Sequence, residues 1–247
     1  MTSKPLVSII IPACNEAHAI RPVLLDVLRY AFADVEVIVV DDGSDDGTRE
    51  TALETIAESG AENACVVSHE HNRGLGASLV TGGLAAKGEY VLWFDGDGQH
   101  RGEDAGRLMD ELRADQSLDY VIGVRGSGSD RALSRRPGKA VLKFLSELAA
   151  GKKLGDFNSG MRAIRRTLYL SWVFLYPDGF GTSTATSILL TRLGCKGKEM
   201  PILTRKRSGR PSSVNQLRDG VLTIRLIFRM WKYIRRVKDT KKEETLK

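Results

Sequence analysis

Cysteine is scarce in this chain. Cys14, Cys65 and Cys195 are the only three, no two form a Cys-x-x-Cys pair, and an odd number cannot all be bridged. A disulfide scaffold is excluded, and the expectation is a reducing compartment and no structural zinc. Long hydrophobic runs are missing too: the apolar stretch over residues 6–13 is too short and too early broken for a signal peptide. There is no internal repeat and no low-complexity tract. No G-x-x-x-x-G-K-[ST] loop occurs, and Gly74-Leu75-Gly76-Ala77 lacks the strand-to-helix context of a dinucleotide fingerprint; Arg73 to Gly76 reads as a helix opening with small residues for close packing. His18, His69, His71 and His100 have no metalloprotease spacing and read as surface or loop side chains. No serine sits in a G-x-S-x-G elbow.

What is present belongs to an ordinary globular protein. The chain has 247 residues, 42% hydrophobic and 28% charged, which suits one α/β-sized domain with or without an appendage and sets disorder aside. The net charge of +6 is unevenly spread. Residues 201–247 carry 14 Lys and Arg against 4 Asp and Glu, a net of +10, so residues 1–200 have a net of −4. The basic tail predicts an anionic partner, with nucleic acid and an anionic membrane surface both open on charge alone.

Nearly continuous Val- and Ile-rich runs over 6–13, 35–41, 64–68, 89–95 and 119–124 read as strands of a sheet covered on both faces. Segments 17–32, 46–59, 74–87 and 103–114 carry helical periodicity between them. This alternation predicts a doubly wound α/β sheet with its ligands at the carboxyl ends of the strands. Further on, 127–138 reads as a loop, 139–150 as a helix, 151–160 as turns, 167–175 and 182–193 as helices, 198–204 as a short strand and 205–213 as a basic loop. In the last element, 214–237, Leu217, Val221, Ile224, Phe228, Trp231 and Ile234 recur at helical spacing, with Arg218, Arg225, Arg229, Lys232, Arg235 and Arg236 largely elsewhere. Arg225 and Arg229 break the apolar run well short of the roughly 20 residues a spanning helix needs. Two readings stay open: an interfacial helix drawn to anionic lipid, or a helix packed on the domain with a solvated basic rim.

Two strands end in acids. Val40 leads into Asp41-Asp42-Gly43-Ser44-Asp45-Asp46-Gly47, and Phe94 into Asp95-Gly96-Asp97-Gly98-Gln99-His100. The spacing of Asp95 and Asp97 lets two carboxylates reach one hard cation while Gly96 bends the backbone, and Gln99 could add an amide oxygen. Mg²⁺ and Mn²⁺ favour such ligands and bridge them to substrate phosphates. An isolated Asp-x-Asp reads equally as turn capping; the preceding strand and the second acidic strand end favour a site.

These residues fall into a longer pattern. Ile10-Ile11-Pro12-Ala13-Cys14-Asn15-Glu16, Val40-Asp41-Asp42-Gly43-Ser44, Asp95 to His100, Val121-Ile122-Gly123-Val124-Arg125, Asp156-Phe157-Asn158-Ser159-Gly160-Met161-Arg162 and Arg207-Ser208-Gly209-Arg210-Pro211-Ser212-Ser213 resemble, in order, the motifs of family-2 glycosyltransferases. They are most similar to the dolichyl- or polyprenyl-phosphate mannose (or glucose) synthase branch. The resemblance implies a GT-A-type fold, a doubly wound, mostly parallel mixed sheet over 1–213, followed by a basic amphipathic helix and tail over 214–247. By position, Pro12, Asn15 and Glu16 would border the nucleoside and Asp41 or Asp42 would hold base or ribose. Asp95, Gly96, Asp97 and Gln99 would seat Mg²⁺ or Mn²⁺ and the donor diphosphate. Arg125 and Arg207 would face phosphates, and Arg131, Arg135, Arg136 and Lys139 would hold the acceptor phosphate. Asp97, Arg125 and Arg207 are the residues expected to carry the reaction.

The implied reaction is inverting transfer of mannose or glucose from GDP-mannose or UDP-glucose to a polyprenyl phosphate. Such a phosphate is anionic near neutral pH and needs no strong general base, so positioning and charge stabilisation suffice. The chain departs from its relatives in having Cys14 where many have Tyr, and hydroxyls and Ala after Gly179-Phe180-Gly181 where relatives often have Gln or Glu. It also lacks the C-terminal spanning helices many relatives carry. An anionic membrane surface or a membrane partner subunit, met through 214–238, would replace those helices, giving a cytoplasmic, peripherally membrane-associated enzyme. A family-2 enzyme acting on a sugar or small-molecule hydroxyl is the alternative, with a nucleotidyltransferase behind it. Nucleic acid is not the expected partner, because both acidic strand ends would face a polyanion.

Overall fold

In the computed structural model, which describes residues 4–126, 136–205 and 216–245, the β-branched runs form a seven-stranded sheet. β1 (Val7–Ala13), β2 (Val35–Asp41), β3 (Ala64–Ser68) and β4 (Tyr90–Trp93) are parallel, interleaved with α1 (Ala17–Leu28), α2 (Thr48–Ser59) and α3 (Leu75–Ala85). The chain continues through α4 (Gly102–Ala114), β5 (Tyr120–Arg125), α5 (Arg136–Ala150), β6 (Arg162–Arg165), α6 (Arg166–Trp172) and a 3-10 turn, Val173–Leu175. It ends in α7 (Thr182–Arg192), β7 (Gly197–Ile202) and α8 (Gln216–Thr245). The strand order is β3-β2-β1-β4-β6-β5-β7, with β6 antiparallel to both its neighbours and β7 parallel to β5.

The central strands β1, β2 and β4 are almost wholly apolar because both their faces are covered. Ile9, Ile11, Val37 and Val39 pack against Ile20 and Leu24 of α1 and Leu108 and Leu112 of α4. Their neighbours Ile10, Ile38 and Val40 point the other way, into a core closed by Leu79 of α3, Tyr169 of α6, Ile188 of α7 and Met230 of α8. A strand with period-2 alternation but two buried faces loses its polar positions.

Two parts of the molecule depart from the sequence reading. β6 was not expected as a strand: Arg-Ala-Ile-Arg is short and charged at both ends. It forms because β4 and β5 pair with it on either side and Ala163 and Ile164 fill opposite cores, so tertiary pairing outweighs local composition. In α8 the buried stripe is Thr223, Leu226, Ile227, Met230 and Ile234, whereas Val221, Phe228 and Trp231 of the expected apolar face are exposed. The helix has apolar residues on more than one side, and the periodic pattern alone did not tell which side meets α5 and α7.

Candidate functional site

The topology dictates where a ligand goes. β1 and β4 lie side by side, but the chain leaves β1 toward β2 on one side and reaches β4 from the other, so a crevice opens at their carboxyl ends. A cleft of about 830 Å³ lies there, within the range of small-molecule sites. Pro12, Cys14 and Glu16 line it from the end of β1, Asp42 from β2, and Asp95, Gly96 and Asp97 from β4. Arg73 and Gly74 before α3, Asp178 to Phe180 before α7, and Arg218, Asp219, Leu222, Arg225, Leu226 and Arg229 of α8 line it further.

The Asp95 and Asp97 loop is held from below. The His100 Nε2 lies 3.1 Å from Asp95 Oδ2; the imidazole is only 4% exposed, the carboxylate 36%. Gly160 sits directly beneath, where a Cβ would come within 2.4 Å of Asp95 Oδ2. Gly96 is as closely packed, a Cβ there meeting the Pro12 carbonyl at 2.9 Å. The Gln99 N–H donates to Asp97 Oδ1 (3.0 Å), and its carbonyl accepts from the Arg205 N–H (2.9 Å). Gln99 is not among the cleft-lining residues.

The loops after β1 and β2 are latched to each other. Asn15 adopts φ 55°, a left-handed conformation Asn tolerates; its N–H donates to Ser44 Oγ and its Oδ1 accepts from the Asp45 N–H, both at 2.9 Å. Glu16 N–H donates to Thr48 Oγ1 (2.8 Å). Asn15 thus braces the rim rather than lining the cleft. Asp42, although on the cleft, accepts from the Arg73 and Gly74 N–H groups (2.8 Å each) and pairs with His69 Nδ1 (2.7 Å), whose other nitrogen lies 2.9 Å from Thr81 Oγ1. Asp41 is buried with Oδ1 lacking a hydrogen-bond partner among the described residues. His69 and His100 are therefore not the surface or loop side chains expected of them: each has a buried ring against a strand-end aspartate.

Arg125 is committed elsewhere. Its Nε and Nη2 donate to Asp156 Oδ2 (2.6 Å) and Oδ1 (2.9 Å) in a two-pronged pair, which raises the guanidinium pKa above its ordinary value, and Nη2 also reaches the Asn158 carbonyl (3.3 Å). It does not line the cleft. The pair instead anchors the turn that carries Gly160 under Asp95. Arg162, fully buried in the same stretch, donates to the carbonyls of Ser159 and Ser183 and to Ser187 Oγ, and burial pushes its pKa down to about 10. Arg131, Arg135 and Arg207 lie outside the described residues, as do the side chains of Arg136 and Lys139, which belong to α5.

Sequence reasoning missed Arg73, Asp178 and the α8 residues. The 218, 225, 229 spacing was a usable signal, since i, i+7 and i+11 share one helical face. Among the described residues no three His, Cys, Asp or Glu side chains converge as a metal site. Two carboxylates on an open cleft nevertheless suit Mg²⁺ or Mn²⁺, which leave several positions to water and substrate phosphate. The residues present fit a cation arriving with a diphosphate better than one caged by protein.

The sequence matches Glycosyl transferase family 2 over residues 8–171. The chain belongs to this family and is a glycosyltransferase. It is 30% identical to glycosyltransferase AglJ of Haloferax volcanii, over 93% of this chain and 73% of that one. It is likewise 30% identical to the UDP-N-acetylglucosamine–dolichyl-phosphate N-acetylglucosaminyltransferase of Methanococcus voltae, over 66% of this chain and 70% of that one. To the undecaprenyl-phosphate 4-deoxy-4-formamido-L-arabinose transferase of Pseudomonas fluorescens it is 32% identical, over 66% of this chain and 47% of the relative. Among solved structures, glucosyl-3-phosphoglycerate synthase of Mycobacterium tuberculosis with Mn²⁺, UDP and phosphoglyceric acid superposes with a TM-score of 0.70 at 23% identity, covering 94% of this chain and 78% of that one. That likeness bears on the fold, which is GT-A-like, as expected.

Proposed function

We propose that this glycosyltransferase moves a hexose, mannose or glucose, from a nucleotide sugar to a polyprenyl phosphate, with inversion at the anomeric carbon. The observation that carries the proposal is the placement of Asp95 and Asp97 side by side on the cleft at the β1/β4 crevice. Relatives named for dolichyl and undecaprenyl phosphate support the acceptor class. Pro12 and Glu16 border the nucleoside on the cleft, whereas Asp41, buried and with one oxygen unpartnered among the described residues, lies off its lining. Asp95 and Asp97 would hold Mg²⁺ or Mn²⁺, which neutralises charge on the departing diphosphate when bound. Gly96 brings the backbone close, Asn15 keeps the rim in place, and the acceptor phosphate attacks as the anion it already is.

The acceptor lies in a membrane, and the protein has a surface suited to meeting one. No helix among the described residues is long and apolar enough to cross a membrane. α8 exposes Val221, Leu222, Phe228 and Trp231 among its arginines, and Arg235 stacks over Trp231 at 3.6 Å from the ring centroid. α5 adds exposed Val141, Phe144 and Leu148. An exposed apolar strip edged with cations matches an anionic bilayer surface.

The test is transfer from GDP-mannose, UDP-glucose and UDP-N-acetylglucosamine to a polyprenyl phosphate with Mg²⁺ or Mn²⁺. Sugar-loaded lipid from the wild type, lost at least about a hundredfold in Asp97→Asn and abolished by EDTA, is the expected result. Transfer to a soluble sugar hydroxyl and to no lipid phosphate would replace the acceptor.

A further inference from the structure

The cleft carries charges of both signs. Glu16, Asp95 and Asp97 stand at the strand ends, and Arg218, Arg225 and Arg229, with Asp219 beside Arg218, line it from α8, so that side is predominantly basic. The packing of α8 sets this orientation: Leu226, Ile227 and Met230 are buried against the domain, which turns Arg225 and Arg229, at the edge of that stripe, along the cleft. Over the eleven residues from Arg218 to Arg229 the helix advances about 16 Å, and Leu222 lies between the cations, exposed and also lining the cleft.

Arg225 stands out among them. Arg229 donates to the Phe174 carbonyl, whereas Arg225 is exposed and makes no hydrogen bond or ion pair among the described residues. Placing it one helical turn before Arg229 sets like charges together. That pairing of like charges costs some stability and becomes favourable once an anion arrives in the cleft. The donor diphosphate belongs with Asp95 and Asp97 on the opposite side. The anion left for α8 is the phosphate of the acceptor, and the apolar Leu222 beside the cations suits the first hydrocarbon unit attached to it.

We infer that Arg225, with Arg229, binds the phosphate monoester of a prenyl acceptor while Leu222 contacts its first isoprene unit, making the cleft face of α8 the acceptor subsite. The inference rests on the lipid-phosphate reading above and adds the residues that recognise the acceptor. It also separates two uses of one helix: Arg225 serves the cleft, and Lys232, beyond the cleft-lining residues, serves the outer surface.

Calorimetric titration of the whole chain with geranyl phosphate, without vesicles, tests it. Arg225→Gln should weaken geranyl phosphate about tenfold and leave UDP and GDP unchanged, Arg225→Lys should recover part of the loss, and Lys232→Gln should change nothing. Leu222→Ser should weaken geranyl phosphate but not inorganic phosphate, which distinguishes a prenyl ester from a free anion. Wild-type affinity in Arg225→Gln, a loss that falls on the nucleotide, or a loss seen only on anionic vesicles would each overturn the assignment. Arg225-dependent binding in a protein that transfers no sugar would sink the transfer reading and sustain this one.

Discussion

At the scale of single residues, the candidate site depends on residues that do not line the cleft. Gly160 leaves room for Asp95, and the atom a new Cβ would strike is the carboxylate oxygen, the mobile end of a side chain. Gly160→Ala should therefore fold normally yet turn Asp95 aside, lowering kcat by about tenfold to a hundredfold; thermal unfolding and turnover, measured together, check both halves. Arg162 behaves differently. It is the buried donor to two carbonyls and a hydroxyl, so Arg162→Met leaves acceptors unsatisfied and should cost about 2–4 kcal/mol of stability, read from urea unfolding. Asp95 and Asp97 were legible in the sequence because a strand end and a carboxylate pair are local features. The partners of Asp95 were not: His100 is close in sequence but declares its burial only in the fold, and Gly160 arrives from beyond the next three elements.

At the scale of elements, the strands β1, β2, β3 and β5 were readable almost to the residue: β1, β2 and β5 because burial writes itself as runs of Val and Ile, and the part-exposed edge strand β3 because its short Cys-Val-Val run stands out between turns. β4 ends before its apolar run does: Phe94 stays buried in the core with its N–H on the Ile10 carbonyl, and the chain turns into the cleft only at Asp95. β6 was hidden for the opposite reason: its four residues gain their strand character from neighbours far away in sequence. α8 shows the limit of periodicity. Its two apolar faces separate only when α5 and α7 choose one, and the separation is testable. Met230→Ala, in the packed face, should lose about 2–5 kcal/mol of stability. Phe228→Ala, on the exposed face, should leave unfolding unchanged while weakening binding to phosphatidylglycerol vesicles in a sedimentation assay.

At the scale of the molecule, charge is sorted by function. Glu16, Asp42, Asp95 and Asp97 of the net-acidic residues 1–200 line the cleft at the strand ends, while the +10 of residues 201–247 includes the helix that lines its other side. Vesicle binding through that helix should fall steeply as salt rises, because the Debye length shrinks from about 10 Å at 0.1 M to about 3 Å at 1 M. Prenyl phosphate binding inside the cleft should fall less, being partly shielded from bulk ions. Titrating both from low to high salt with the same protein separates membrane attraction from substrate recognition.

The reversed strand has a consequence for how the chain is made. β6 joins β4 on one side and β5 on the other, so the sheet is a single surface only after residues 162–165 have been added. Until then β4, with Tyr90, Val91, Leu92 and Trp93, is an open edge carrying some of the most buried side chains of the finished protein. An apolar edge of that kind pairs with other chains. During synthesis the nascent N-terminal half therefore passes through a stage at which β4 is paired with β1 but has no neighbour on its other side. A fragment of residues 1–126 should aggregate during refolding where the full chain does not, which light scattering would record.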